Sequence, residues 1–136
     1  MTSDAFKNMQ LLEVGSGPMP SATCFTHCRL YCLEPLLPEY LEIGFPLHYY
    51  CNPAFIHAAA ENIPVEDNLF DAVITENALD HVDNIVETAN EIRRALKPSG
   101  LLRMHVQYHL PTLTEPIEID DDILQNYLDG VATSEK

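Results

Sequence analysis

Leu11-Leu12-Glu13-Val14-Gly15-Ser16-Gly17-Pro18 decides how the rest of the chain is read. Leu11, Leu12 and Val14 form a short apolar run, an acid stands within it, and the chain then breaks into a glycine turn. A strand running into G-x-G is how open α/β sheets bring backbone close to a nucleotide-like ligand, because glycine has no Cβ to hold the ligand off. Alone the pattern is weak. It gains weight because Glu34, Glu61 and Asn77 follow at the spacings expected of the next three strand ends.

The flanking sequence supplies those strands. Met9 to Val14 reads as strand one, Arg29 to Leu33 as strand two, His57 to Ala59 as a short strand three, Phe70 to Thr75 as strand four and Leu101 to Tyr108 as strand five. Between them, Pro20 to His27 is expected to form a short helix, and Glu39 to Glu42 a helical turn. The clearest helix is Ile85 to Leu96. Ile85, Ala89, Ile92 and Leu96 recur at three- and four-residue steps, Asp83 or Asn84 can cap the start, and Lys97-Pro98-Ser99-Gly100 stops it. Ile123 to Leu128 is a short amphipathic stretch before a polar end that is expected to fray. Strands alternating with helices give an α/β fold: a Rossmann-like, mostly parallel sheet with helices on both faces, truncated to about five strands. The whole chain, 1–136, reads as a single domain, short at both ends.

Composition narrows the function. A net charge of −14 repels phosphate backbones and anionic lipid, which argues against a nucleic-acid or membrane-surface role. No apolar run approaches a membrane span and no signal peptide is recognisable, so a cytoplasmic protein is expected. Cys24 and Cys28 are spaced to share a helical face, with Cys32 in the next strand and Cys51 further on. A zinc site with His27 or His48 is conceivable, but C-x3-C-x3-C is not a usual knuckle spacing. The thiols are read as reduced, buried small hydrophobes.

Ligands of such sheets bind outside the carboxyl ends of the strands, so the residues just past each strand are the candidates. Glu13 either fixes the glycine turn by local capping or meets a cationic ligand group. Glu34, 17 residues beyond Gly17, is placed to accept two hydrogen bonds from a ribose diol. The backbone of Ala60 and Glu61 is placed to face an adenine edge, and Asn77 with Ala78 points into the same crevice, Asn77 alternatively serving as a turn residue.

These residues carry a resemblance. Leu12-Glu13-Val14-Gly15-Ser16-Gly17 resembles the first motif of the class I S-adenosylmethionine-dependent methyltransferases, and Cys32-Leu33-Glu34-Pro35 resembles that family's ribose-binding acid. Ala60 to Val73 is similar to its segment joining the adenine site to strand four. Asn77-Ala78-Leu79-Asp80-His81-Val82 and Glu91 to Gly100 are similar to the motifs that follow. The likeness runs from about Met9 to Tyr108 and is closest to the type 11 methyltransferases.

The resemblance implies methyl transfer from S-adenosylmethionine to a small-molecule or protein acceptor. In that frame Glu13, Gly15 and Gly17 position the methionine part, Glu34 the ribose, Ala60 and Glu61 the adenine, while Asn77 and Ala78 line the floor. Should the acceptor need deprotonation, Asp80, His81, His105 and His109 are candidates by position, His81 first because imidazole titrates in a suitable range. A satisfied structural histidine is the bland alternative. His105 and His109 fall on a strand and its exit, so no metal site is expected.

Three departures stand out. Met19 replaces the family's usual third glycine, Ala59 replaces an adenine-contacting aspartate, and after Tyr108 only about one helix can be fitted. The chain is then a minimal fold, a fragment, or one that a partner or second copy completes. Two other function classes share the strand-glycine-acid logic. One is a non-catalytic cofactor- or partner-binding module. The other is a nicotinamide-dependent oxidoreductase, which wants G-x-G-x-x-G where this chain reads Gly15-Ser16-Gly17-Pro18-Met19-Pro20.

Overall fold

The computed structural model describes residues 2–128. The polar end, 129–136, lies outside the described residues. Strands β1 (Gln10–Val14), β2 (Arg29–Leu33), β3 (Ala54–Ile56), β4 (Phe70–Glu76) and β5 (Leu96–His105) form one sheet in the order β3-β2-β1-β4-β5. Every pairing is parallel. The fold is therefore the expected α/β, Rossmann-like sheet. Helices α1 (Leu37–Glu42), α2 (Ile85–Ala95) and α3 (Asp121–Leu128) complete it, with short 3-10 turns at Ser21–Cys24, Leu47–Tyr49 and Leu79–His81.

Strand alternation splits the core between the two faces. Leu12, Val14, Leu33, Val73 and Leu102 pack on one face with Ile92 of α2 and Leu128 of α3. Leu11, Leu30, Cys32 and Ile74 pack on the other with Phe6, Ala22 and Phe25. α2 forms because its apolar stripe, Ile85, Ala89 and Ile92, is buried against the sheet. Asn84 caps it, its side chain accepting from the backbone N–H of Val86 and Glu87 at 3.0 and 3.1 Å.

Several sequence expectations shift. Strand three is Ala54–Ile56, not 57–59, since Phe55 and Ile56 suit a pleated edge better than the alanines that follow. The segment before Arg29 is only a 3-10 turn, so Cys24 and Cys28 share no helical face. Cys28 and Cys32 are buried, whereas Cys24 and Cys51 are exposed. β5 begins at Leu96 with an irregularity in its pairing to β4 that accommodates Pro98, and it ends at His105, opposite Glu76, because β4 offers no further partner. Residues 106–120 are irregular rather than strand.

The register positions the site. Val14 lies opposite both Leu33 and Thr75, so the chain leaves β1, β2 and β4 at one level. The sheet extends in opposite directions on either side of β1, which makes the carboxyl ends of these strands the crevice where ligands of such sheets bind.

Candidate functional site

The turn after β1 is held by backbone. Gly15 and Gly17 have φ of +67° and +60°, in the left-handed region. The N–H groups of Gly15 and Ser16 both donate to the Leu33 carbonyl, at 2.8 and 3.2 Å, tying the turn to the end of β2. A Cβ on Gly15 would collide with the Ala78 methyl beyond β4, whereas one on Gly17 would meet nothing within 4 Å.

Glu34 leaves β2 beside this turn and is only 5% exposed. Its Oε2 accepts from Gly17 N–H at 2.9 Å and its Oε1 from Leu36 N–H at 3.0 Å. Each carboxylate oxygen keeps a lone pair for a further donor. Asn77, at φ 47°, turns the chain out of β4, and its N–H donates to the His105 carbonyl at 2.7 Å. Glu61 Oε1 accepts from the N–H groups of Asp83 and Asn84 at 2.7 and 3.0 Å, fastening its loop to the start of α2. The same loop is anchored lower down. Arg94 donates to the carbonyls of Ile63 and Val65, each at 2.7 Å, and Glu91 accepts from Ile63 N–H at 2.8 Å.

These residues converge. Gly15, Gly17, Glu34, Ala60 and Glu61 line one cavity of about 540 Å³. Asn77, Ala78 and His81 line its other side. The volume sits within the roughly 300–1,000 Å³ of small-molecule sites. Leu36, Tyr40 and Val82 add apolar wall, and Thr114 closes one side from the segment after β5. Thr114 had no signal in the sequence, because 106–120 has no periodicity to place it.

Glu13 does not line the cavity. It is 2% exposed and caps the Ser21–Cys24 turn, accepting from Ser21 N–H (3.0 Å), Ser21 Oγ (2.8 Å) and Ala22 N–H (2.9 Å). Burial pushes its carboxyl above the ordinary value, with those hydrogen bonds pulling the other way. Of the two roles open from sequence, local capping is the one its contacts serve.

His81 lines the cavity with both ring nitrogens facing acceptors. Its Nδ1 lies 2.9 Å from the Thr114 carbonyl, and its Nε2 lies 3.5 Å from Glu115 Oε1. His105 lies 3.5 Å from Glu76, and His109 Nε2 is 2.8 Å from Asp80 Oδ2. The i, i+4 spacing of His105 and His109 therefore does not bring them to one partner.

Residues 12–104 match the family model described as "Methyltransferase domain". The chain belongs to the methyltransferase domain family. An uncharacterised methyltransferase of Mycolicibacterium gilvum (strain PYR-GCK) is 28% identical over 102 residues, covering 74% of this chain and 40% of its own length. The chain spans less than half the length of the curated relatives it matches. Among solved structures, a SAM-dependent methyltransferase from Aquifex aeolicus superposes with a TM-score of 0.63 at 17% identity, over 90% of this chain and 73% of its own. The 1,6-didemethyltoxoflavin-N1-methyltransferase of Burkholderia thailandensis, solved with 1,6-didemethyltoxoflavin and S-adenosylhomocysteine, gives 0.68 at 16% identity, over 92% and 60%. Within this methyltransferase fold, Met19 is exposed and lies outside the cavity lining, while Ala59 is part of it. No helix among the described residues is long and apolar enough to cross a membrane.

Proposed function

We propose that the chain binds S-adenosylmethionine in the cavity at the tips of β1, β2 and β4 and donates its methyl group to a small-molecule or protein acceptor. One observation carries the reading. Glu34, the acid at the end of β2, is locked to Gly17 of the glycine turn, and both line the cavity that also holds Glu61 and Asn77.

The residues present fit the cofactor. The two free lone pairs of Glu34 suit the vicinal hydroxyls of a ribose. The left-handed backbone at Gly15 and Gly17 leaves room for the methionine end, and Leu36, Ala59, Ala60 and Val82 offer apolar wall to a purine. Glu34, Glu61 and Asp83 around the cavity complement a cationic ligand. S-adenosylmethionine supplies a methyl group on a sulfonium, already a good leaving group. The chain's task is to align the acceptor and exclude water. No side chain is assigned as general base here, because both nitrogens of His81 face oxygens of Thr114 and Glu115.

Nucleic acid is set aside as acceptor on the net charge of −14. A reducing, cytoplasmic setting is supported by four free cysteines. The outer edge of β5, which pairs with no strand among the described residues, is where a second copy or completing partner would add one. Cofactor binding without turnover is the second reading, supported by the committed ring of His81.

Isothermal titration with S-adenosylmethionine and S-adenosylhomocysteine tests the proposal. Glu34→Ala is expected to weaken binding by about 1–2 kcal/mol, roughly five- to thirtyfold, the scale of a lost charge-assisted hydrogen bond. Absence of binding at millimolar ligand, or equal affinity in Glu34→Ala, overturns it. Methyl transfer to an acceptor panel separates the catalytic reading from the binding-only one.

A further inference from the structure

Beside the cavity, four side chains from two separate stretches of chain meet. Asp80 and His81 come from the turn after β4. His109 and Glu115 come from the irregular segment 106–120. Asp80 Oδ2 lies 2.8 Å from His109 Nε2, and His109 Nε2 lies 3.6 Å from Glu115 Oε2. Glu115 Oε1 lies 3.5 Å from His81 Nε2, and His81 Nε2 lies 3.9 Å from Asp80 Oδ1. The four groups close a ring. One ligand atom each from Asp80, His109 and Glu115 lie within 4.8 Å of one another.

Two features separate this ring from an ordinary ion-pair cluster. The first is the histidine orientation. His81 Nδ1 faces the Thr114 carbonyl at 2.9 Å, and His109 Nδ1 faces the Leu110 carbonyl at 2.7 Å. A carbonyl only accepts, so each Nδ1 carries a proton, and each Nε2 is turned toward the carboxylates; the His109 Nε2 at 2.8 Å from Asp80 Oδ2 donates as well, a proton that a bound cation would displace. Backbone carbonyls fix metal-binding histidines in this way, leaving the second nitrogen to coordinate. The second feature is Asp80. It is 3% exposed, and its Oδ1 has no hydrogen-bond partner among the described residues. A buried carboxylate oxygen without a donor is costly unless something cationic meets it.

We propose that Asp80, His109 and Glu115 bind a divalent transition-metal cation, zinc being the best match to one imidazole and two carboxylates with a fourth position left open. Tetrahedral zinc with ligands at about 2.0–2.1 Å sets its donor atoms about 3.3 Å apart. His109 Nε2 lies 2.8 Å from Asp80 Oδ2 and 3.6 Å from Glu115 Oε2, either side of that spacing. The metal would join the turn after β4 to segment 106–120. Among the described residues, the backbone hydrogen bond joining these two stretches is Ile117 N–H to the Asp80 carbonyl, a long one at 3.3 Å. Because Thr114 borders the cavity, the ion would fix one wall of the ligand site without entering it.

The test uses the full chain, stripped with a chelator and titrated with zinc chloride in the absence of S-adenosylmethionine, so its outcome is independent of the cofactor proposal. One zinc per chain is expected by calorimetry and by elemental analysis after desalting. Cobalt(II) in its place should give the intense visible absorption of a tetrahedral site. His109→Gln and Glu115→Gln, both on the irregular segment, should each weaken zinc binding at least tenfold and abolish the cobalt spectrum. Cys24→Ser, Cys51→Ser and His105→Gln should leave both unchanged. No zinc uptake overturns the proposal. Zinc held equally by His109→Gln and Glu115→Gln also overturns it, since an acidic chain then binds the ion adventitiously.

Discussion

The two walls of the cavity are built by different means. The wall formed by β1 and β2 is mostly backbone. The turn through Gly15 and Ser16 hangs on the Leu33 carbonyl, and Glu34 answers the N–H groups of Gly17 and Leu36. The wall formed beyond β4 is mostly side chain, with Glu61 reaching to Asp83 and Asn84, and His81 reaching to the segment that carries Thr114. The backbone wall joins the ends of two paired strands, the Gly17–Glu34 bond spanning 17 residues against 33 for His81–Thr114. A side-chain wall depends on stretches brought together only by folding.

The walls touch where Gly15 meets Ala78, and the largest effect is expected there. Gly15→Ala places a Cβ into the Ala78 methyl at a residue whose φ is already +67°. Strain of about 1–2 kcal/mol from the left-handed backbone adds to the collision. Binding of S-adenosylmethionine should fall by more than a hundredfold, and Tm by several degrees. Gly17→Ala pays the backbone strain alone, as nothing lies within 4 Å of its Cβ, and should lose less. Pairing Gly15→Ala with Ala78→Gly should recover part of the loss. Equal effects of the two single variants would show that the contact between the walls carries no weight.

A smaller effect separates the face of the backbone wall from its underside. Glu13→Gln keeps the shape but sets an amide against donors. The Ser21 and Ala22 N–H groups and the Ser21 hydroxyl all donate to this carboxylate. One unmet donor costs about 1–3 kcal/mol, visible in chemical denaturation. Affinity for S-adenosylmethionine should change less than threefold, because Glu13 is absent from the cavity lining. Unchanged stability with a tenfold loss of affinity would return Glu13 to the ligand.

The same contrast explains what the sequence reveals. Strand β2 matches its expected bounds, and β1, β4 and α2 lie within a residue of theirs, because each is an uninterrupted apolar run or stripe. Gly15, Gly17 and Glu34 are legible because they follow directly on β1 and β2, both uninterrupted apolar strands. β3 is misplaced because a three-residue edge strand carries almost no periodicity. Thr114 and Glu115 are illegible. They reach the site through a segment with neither helical nor strand pattern, and their partner His81 lies 33 residues from Thr114. Glu13 shows a third case, in which the residue is recognisable but its direction is not. An acid near a strand end can turn toward a ligand or under the turn, and only packing decides.

The smallest expected effect concerns the support of the side-chain wall. Glu91 accepts from Ile63 N–H and is paired with Arg94, which also holds the carbonyls of Ile63 and Val65 and the carboxylate of Asp67. Arg94 holds the Glu91 carboxyl below its ordinary value of 4.5, chiefly through their hydrogen bond. A carboxyl depressed in the folded state contributes stability in full above its unfolded value, and that contribution disappears as pH falls through the lower folded value. Glu91→Gln should therefore be less stable than the parent by about 1 kcal/mol at neutral pH, a size discounted for partial exposure. The gap should close on acidification below about 4.5, where the parent carboxylate takes up its proton. Denaturation midpoints of both proteins across that range check it. A gap that stays constant into strong acid would mean that shape, not charge, lets Glu91 and Arg94 hold the loop from Glu61 to Asp67 against α2.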